Sequence, residues 1–144
     1  MTDVVRRNVH PDTLYRRVVG GHLLYAPVVT VKGGTFVFVS GLLSRDREGN
    51  IVGKGDMGAQ IRQVGTNLRL ALESVGATLD DLVRTCTFVT DIEEFFRHAD
   101  VRQEFLGGAL PTSTTVEVKR LSNPDFMVEI EAFAVMPSAT RTPA

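Results

Sequence analysis

The chain has a single cysteine, Cys86, which excludes an intrachain disulfide and any metal site built from several cysteines. No histidine or other base lies near it in sequence to activate a thiolate, so Cys86 reads as a small apolar strand residue. The three histidines, His10, His22 and His98, stand apart without ligand spacing such as His-x-x-x-His, and neither a metal nor another cofactor is expected. A basic excess is also missing. With 16 Lys and Arg against 17 Asp and Glu, the formal net charge is −1, which leaves no surplus cations to displace counterions from a phosphate backbone. Nucleic acid is therefore not an expected partner. Apolar runs such as Phe36 to Val39 fall far short of the ~20 residues that span a bilayer. The first seven residues lack the long apolar stretch and small-residue cleavage site of a secretory signal. A cytoplasmic location without membrane contact is expected.

What is present suffices for one core: 144 residues, 43% of them hydrophobic, is the size of one domain. Residues 1–137 are expected to form it, with 138–144 as a disordered tail. Thr35 to Ser40 is β-branched and aromatic and is bounded by Gly33-Gly34 and Gly41, which predicts a buried strand at the centre of a sheet. Asp56 is the expected cap of a helix that stops near Gly76, with Met57, Ile61, Val64, Leu68, Leu72 and Val75 as its apolar stripe and Gln60, Arg62, Arg69 and Glu73 off it. A second helix starts at Asp91-Ile92-Glu93-Glu94, a capping-box pattern, and ends at Gly107-Gly108; Ile92, Phe95, Phe96 and Ala99 form its apolar side. Strands are predicted over Val83 to Thr90, Thr114 to Arg120 and Met127 to Val135, the last two joined as a hairpin across Ser122-Asn123-Pro124-Asp125. This order suits an α+β two-layer sandwich with both helices on one face of a mixed sheet.

The last strand carries the most informative pattern. Side chains alternate faces, so Val128, Ile130, Ala132 and Ala134 meet the helices while Glu129, Glu131, Phe133 and Val135 face the other way. Two carboxylates mixed with two large apolar groups suit a face covered by another subunit. Pattern alone leaves both glutamates as solvated or interface charges, or as a partly buried general acid or base at a subunit cleft.

Four stretches resemble the RidA (YjgF) family of enamine and imine deaminases. They are Tyr25-Ala26-Pro27-Val28-Val29 with Lys32-Gly33-Gly34; Phe36-Val37-Phe38-Val39-Ser40-Gly41; Gln60 to Gly76 around Asn67-Leu68; and the C-terminal block from Pro111-Thr112-Ser113-Thr114-Thr115 through Val128-Glu129-Ile130-Glu131-Ala132-Phe133-Ala134-Val135. The resemblance implies a chorismate-mutase-like fold and a homotrimer that holds a small-molecule substrate in three clefts between subunits. It implies Glu129 as the catalytic acid and base, with Tyr25, Ser40, Gly41, Ser113 and Thr115 binding substrate. Family deaminases have Pro-x-Arg-Ser/Thr where this chain has Ser113, and their arginine grips the substrate carboxylate. The string Pro-Thr-Ser-Thr-Thr is nearest to the Pro-Thr-Arg-Thr-Thr of the 2-aminomuconate deaminase branch. Ala99 replaces a frequent asparagine.

Hydrolysis of a C=N bond needs a water aimed at carbon and a proton for nitrogen, and one positioned carboxylic acid can serve both. Losing a charge-assisted contact to a carboxylate costs roughly 1.5–3 kcal/mol, about 10 to 150-fold in recognition. The expectation is thus an imine or enamine hydrolase whose substrate is not an ordinary 2-imino acid. Arg102 and Arg120 are the nearest other cations by position. The alternative is a trimer that binds a small metabolite without turnover, or an interaction or chaperone-like protein. A ribonuclease role, claimed for some relatives, is the least supported.

Overall fold

The apolar stripe predicted after Asp56 becomes the longest helix of the computed structural model, which describes residues 3–138. Strands β1 (Val5–Val9), β2 (Val18–Val19), β3 (His22–Leu23), β4 (Val28–Lys32) and β5 (Thr35–Leu43) come first. Helix α1 (Met57–Glu73), a 3-10 turn at Leu79–Asp81 and strand β6 (Leu82–Val89) follow. Helices α2 (Ile92–Arg97) and α3 (Ala99–Leu106) precede strands β7 (Thr112–Glu117) and β8 (Val128–Met136). The main sheet has the order β5-β8-β6-β7; β8 runs antiparallel to both β5 and β6, and β7 runs parallel to β6. Strands β1 and β4 form a separate antiparallel ribbon. No helix among the described residues is long and apolar enough to cross a membrane.

Asp56 caps α1, its carboxylate accepting from the Ala59 amide at 3.0 Å. Met57, Ile61, Val64, Leu68 and Leu72 are buried in one cluster with Val128, Ile130, Ala132 and Ala134 of β8, which is the expected helix-on-sheet core. At Gly65 a Cβ would come within 2.6 Å of the Phe105 ring, so glycine lets α3 lie close against α1. Replacing Asp56 by Ala removes the cap and is expected to lower stability by about 1 kcal/mol, seen as a lower urea midpoint at unchanged slope.

Several expectations are corrected. Val75 lies beyond the end of α1 and is exposed, whereas Gln60 is fully buried. The second helix is two: His98, at φ −104° and ψ 33°, breaks it into α2 and α3, although Asp91 caps its start by accepting from the Glu94 amide. Strand β5 is an edge of the main sheet, not its centre. The joint at residues 122–125 is no hairpin, because β6 separates β7 from β8. A parallel β6/β7 pair requires the helical crossover that α2 and α3 supply. The chain must then pass over β6 to reach its free edge, so the 122–125 segment is a cross-connection. The predicted tail lies outside the described residues apart from Ser138, whose amide donates to the Asp3 carboxylate at 3.0 Å.

Candidate active site

Strand β7 forms one wall of a pocket on the helix side of the sheet. Ser113 and Thr115 are in register with Thr85 and Thr87 of β6, both buried under the helices, while Thr114 is in register with Cys86 on the other face. Tyr25, Arg102, Ser113 and Thr115 line a cavity of about 90 Å³, with Arg17, Phe96 and the aliphatic Leu24 and Ile92 completing the wall, and no aspartate or glutamate is among its lining residues. Arg17 stacks over the Phe96 ring, 4.5 Å from its centroid.

Arg102 reaches this pocket from α3 and is only 2% exposed. Its Nη2 donates to Ser113 Oγ at 3.3 Å and its Nη1 to Gln103 Oε1 at 3.2 Å, while Nε is buried without a partner. Burial pulls the guanidinium down to about 10. No carboxylate pairs with it among the described residues. Ser113 Oγ accepts a second hydrogen bond from Thr85 Oγ1 at 3.3 Å, which leaves the serine's own proton free for a ligand. Arg120, the other candidate cation, is exposed, donates to the Leu121 carbonyl and takes no part in the pocket.

Glu129 lies on the opposite face. It alternates with the buried Val128 and Ile130 and is half-buried, without a hydrogen bond or ion pair among the described residues. Gly41 belongs to the same place, since a Cβ there would collide with the Glu129 carboxylate; only glycine allows that carboxylate to lie over β5. Ser40, exposed, continues the alternation of Phe36 and Phe38 along β5. Those two rings are 71% and 73% exposed, and Phe38 packs edge-on against Phe133 at 5.1 Å. Val135, expected on this face, is buried. The six predicted site residues therefore fall into two half-sites within one chain: Tyr25, Ser113 and Thr115 on the helix side, Ser40, Gly41 and Glu129 on the other. Arg17 and Phe96 were not foreseen as pocket walls, because the segment around Arg17 carries no periodic signal and Phe96 reads as ordinary helix core.

The family model described as Endoribonuclease L-PSP matches residues 23–136, which includes every residue of both half-sites except Arg17. The chain belongs to this family. In sequence it is 36% identical over 104 residues to a RutC family protein of Pyrococcus abyssi, covering 72% of this chain and 81% of the relative. It is 32% identical over 135 residues to the protein DfrA of Myxococcus xanthus, covering 94% and 99%. In structure it matches a Rid family protein of Yersinia pestis with a TM-score of 0.80 at 28% identity, covering 91% of this chain and 98% of that one. A protein of Thermotoga maritima described as a putative endoribonuclease matches with a TM-score of 0.67 at 29% identity, covering 92% and 98%. The α+β fold is thus that of the L-PSP (RidA, YjgF, RutC) family. All six predicted site residues lie within the matched segment, while β1, Arg17 and β2 precede it.

Proposed function

We propose that this L-PSP family member is a cofactor-free hydrolase of imines or enamines. In this reading it acts as a homotrimer in which Glu129 of one subunit faces the Tyr25, Ser113, Thr115 pocket of the next. The observation that carries the proposal is the split itself: an unpaired, half-buried carboxylate on one face of the sheet and a small polar pocket on the other, each an incomplete site. An exposed aromatic patch of Phe36, Phe38 and Phe133 on the same face as Glu129 supports coverage of that face by a second copy.

The chemistry asks one carboxyl group to move a proton twice. Glu129 as carboxylate takes a proton from water while the oxygen bonds to the imine carbon and the C=N π electrons move to nitrogen. The resulting carboxylic acid returns that proton to nitrogen, giving the carbinolamine. The carboxylate then takes the carbinol O–H proton and delivers it to nitrogen as the C=O bond forms and the C–N bond breaks, so that ammonia leaves. An enamine enters the same sequence after protonation at carbon. Hydroxyls of Ser40, Ser113 and Thr115 suit the polar carbinolamine formed on the way. A ring-cleavage enamine of the 2-aminomuconate type falls within this substrate class. RNA suits the site less well, because the net charge is −1 and the cavity is of small-molecule size.

The test is ammonia release from a panel of imines and enamines generated in situ by amino-acid oxidases, with oligomer mass read by light scattering. A trimer of about three times the 15.8 kDa chain mass that accelerates ammonia release supports the proposal. A trimer inert toward the whole panel overturns the hydrolase and favours metabolite binding without turnover. A stable monomer overturns the shared cleft. Phe38→Lys, which puts a charge into the aromatic patch, is expected to shift the mass to that of one chain on the same column.

A further inference from the structure

We propose that Arg102, carried on α3, is the carboxylate-binding cation of this site, with Ser113 as its hydrogen-bond partner, so that, contrary to the expectation drawn from Ser113, the pocket holds the carboxylate of a small acid. The proposal deepens the hydrolase reading and rests on it for the substrate's identity as an imine or enamine, though not for the presence of an anion site. The family resemblance puts the gripping arginine on the penultimate strand, at the position of Ser113. In this chain a serine there leaves room, and a guanidinium from the neighbouring helix fills it, 3.3 Å from the serine oxygen. The cation is kept while its point of attachment moves from strand to helix.

Three observations converge on an anion as the missing occupant. Arg102 is 2% exposed, yet no carboxylate pairs with it among the described residues and its Nε has no acceptor. A buried charge left without a counter-charge is a standing liability that a purely structural role does not explain, since a well-packed apolar residue of similar size would be more stable there. The cavity beside it has no acidic wall, and Arg17 adds a second guanidinium. Ser113, already accepting from Arg102 and Thr85, has only a donor left to offer, which suits a carboxylate oxygen and not an ammonium or amide N–H. The planar fork of Arg102 with the Ser113 hydroxyl thus presents donors alone to a small acid.

The experiment titrates 2-oxobutyrate, a stable acid of the right size, into the parent protein and into Arg102→Met, with affinity read by calorimetry and thermal midpoints read without ligand. Arg102→Met is expected to weaken binding by about 10-fold or more and, by removing an unpaired buried charge, to raise the melting midpoint by about 2–4 °C. The neutral 2-oxobutyramide is expected to bind parent and variant alike. A double variant, Arg102→Ser with Ser113→Arg, returns the cation to the strand and is expected to recover most of the lost affinity. Parental affinity in a folded Arg102→Met overturns the proposal. A lowered midpoint overturns it as well, because it makes Arg102 a structural tie. A parent that does not bind the acid has the same consequence. Turnover is not read in this titration: a protein that binds 2-oxobutyrate through Arg102 but releases no ammonia loses the hydrolase function and keeps the carboxylate site.

Discussion

Glu129→Gln is expected to lower ammonia release by about 10²- to 10⁴-fold, the range that a positioned general acid and base supplies, with oligomer mass and melting unchanged. The amide keeps the shape that fits over Gly41, so the loss falls on proton transfer and not on packing. Glu131→Gln is the control, because Glu131 sits in register with Cys86, one step further along β8, and is expected to stay within a few-fold of the parent. The same variant tests whether the site is shared. Thr115→Phe fills the pocket on the helix side and is expected to be inactive alone, like Glu129→Gln. If each site draws its carboxylate from one subunit and its pocket from the next, refolding the two inactive variants together at equal amounts regenerates intact sites. Random closed trimers then recover about a quarter of parental activity. Two variants that are each trimeric and inactive, and stay inactive when mixed, place the carboxylate and the pocket in one subunit and rule out the shared cleft.

The expected α+β layering came through in the sequence because it rests on periodicity, which is local: the stripe from Met57 to Leu72 and the alternation from Val128 to Ala134 each name the face that is buried. Topology was less legible. Whether β7 and β8 pair or are separated by β6 depends on which edge the returning chain finds free, and nothing within residues 118–127 encodes that. The break at His98 was hidden for a related reason, as Ile92, Phe95 and Phe96 run on into Ala99 without a proline or glycine to mark the change of direction. At the candidate site, individual residues were legible and their grouping was not. Glu129 and Ser113 each stood out in a motif, but only the register of β6 with β7 and β8 puts them on opposite faces of the sheet. Arg102 shows the limit most clearly. Position in the chain marked it as a nearby cation, yet its burial, its bond to Ser113 and its lack of a counter-charge exist only once α3 is laid beside β7.

Gln60→Leu is expected to lower the unfolding free energy by about 2–6 kcal/mol, as the part-buried Asp125 carbonyl and Met127 amide lose their partners at about 1–3 kcal/mol each, while the Gly53 carbonyl keeps its bond from the Asp56 amide. Sequence pattern placed Gln60 off the apolar stripe of α1, but it is fully buried and makes no contact with solvent. Its Nε2 donates to the Gly53 carbonyl at 3.1 Å and the Asp125 carbonyl at 2.8 Å, and its Oε1 accepts from the Met127 amide at 2.8 Å. One side chain therefore ties the loop before α1 and the cross-connection into β8 to the same helix. Leucine matches glutamine in bulk, so the core remains filled and the loss isolates the hydrogen bonds from cavity formation. Against a total stability of about 5–15 kcal/mol for an ordinary domain, such a loss shows as a large fall in the urea midpoint. Gln60→Glu supplies the sign check. Ionised, it sets a carboxylate against two carbonyls and is expected to be at least as damaging as leucine. Protonated, it regains one O–H donor while keeping an acceptor for Met127, so its midpoint is expected to rise as pH falls, whereas that of Gln60→Leu changes with pH only as the parent does. A Gln60→Leu protein within 1 kcal/mol of the parent would mean that water or backbone adjustment satisfies those groups, and that the entry of β8, with Glu129 on it, is positioned by packing alone.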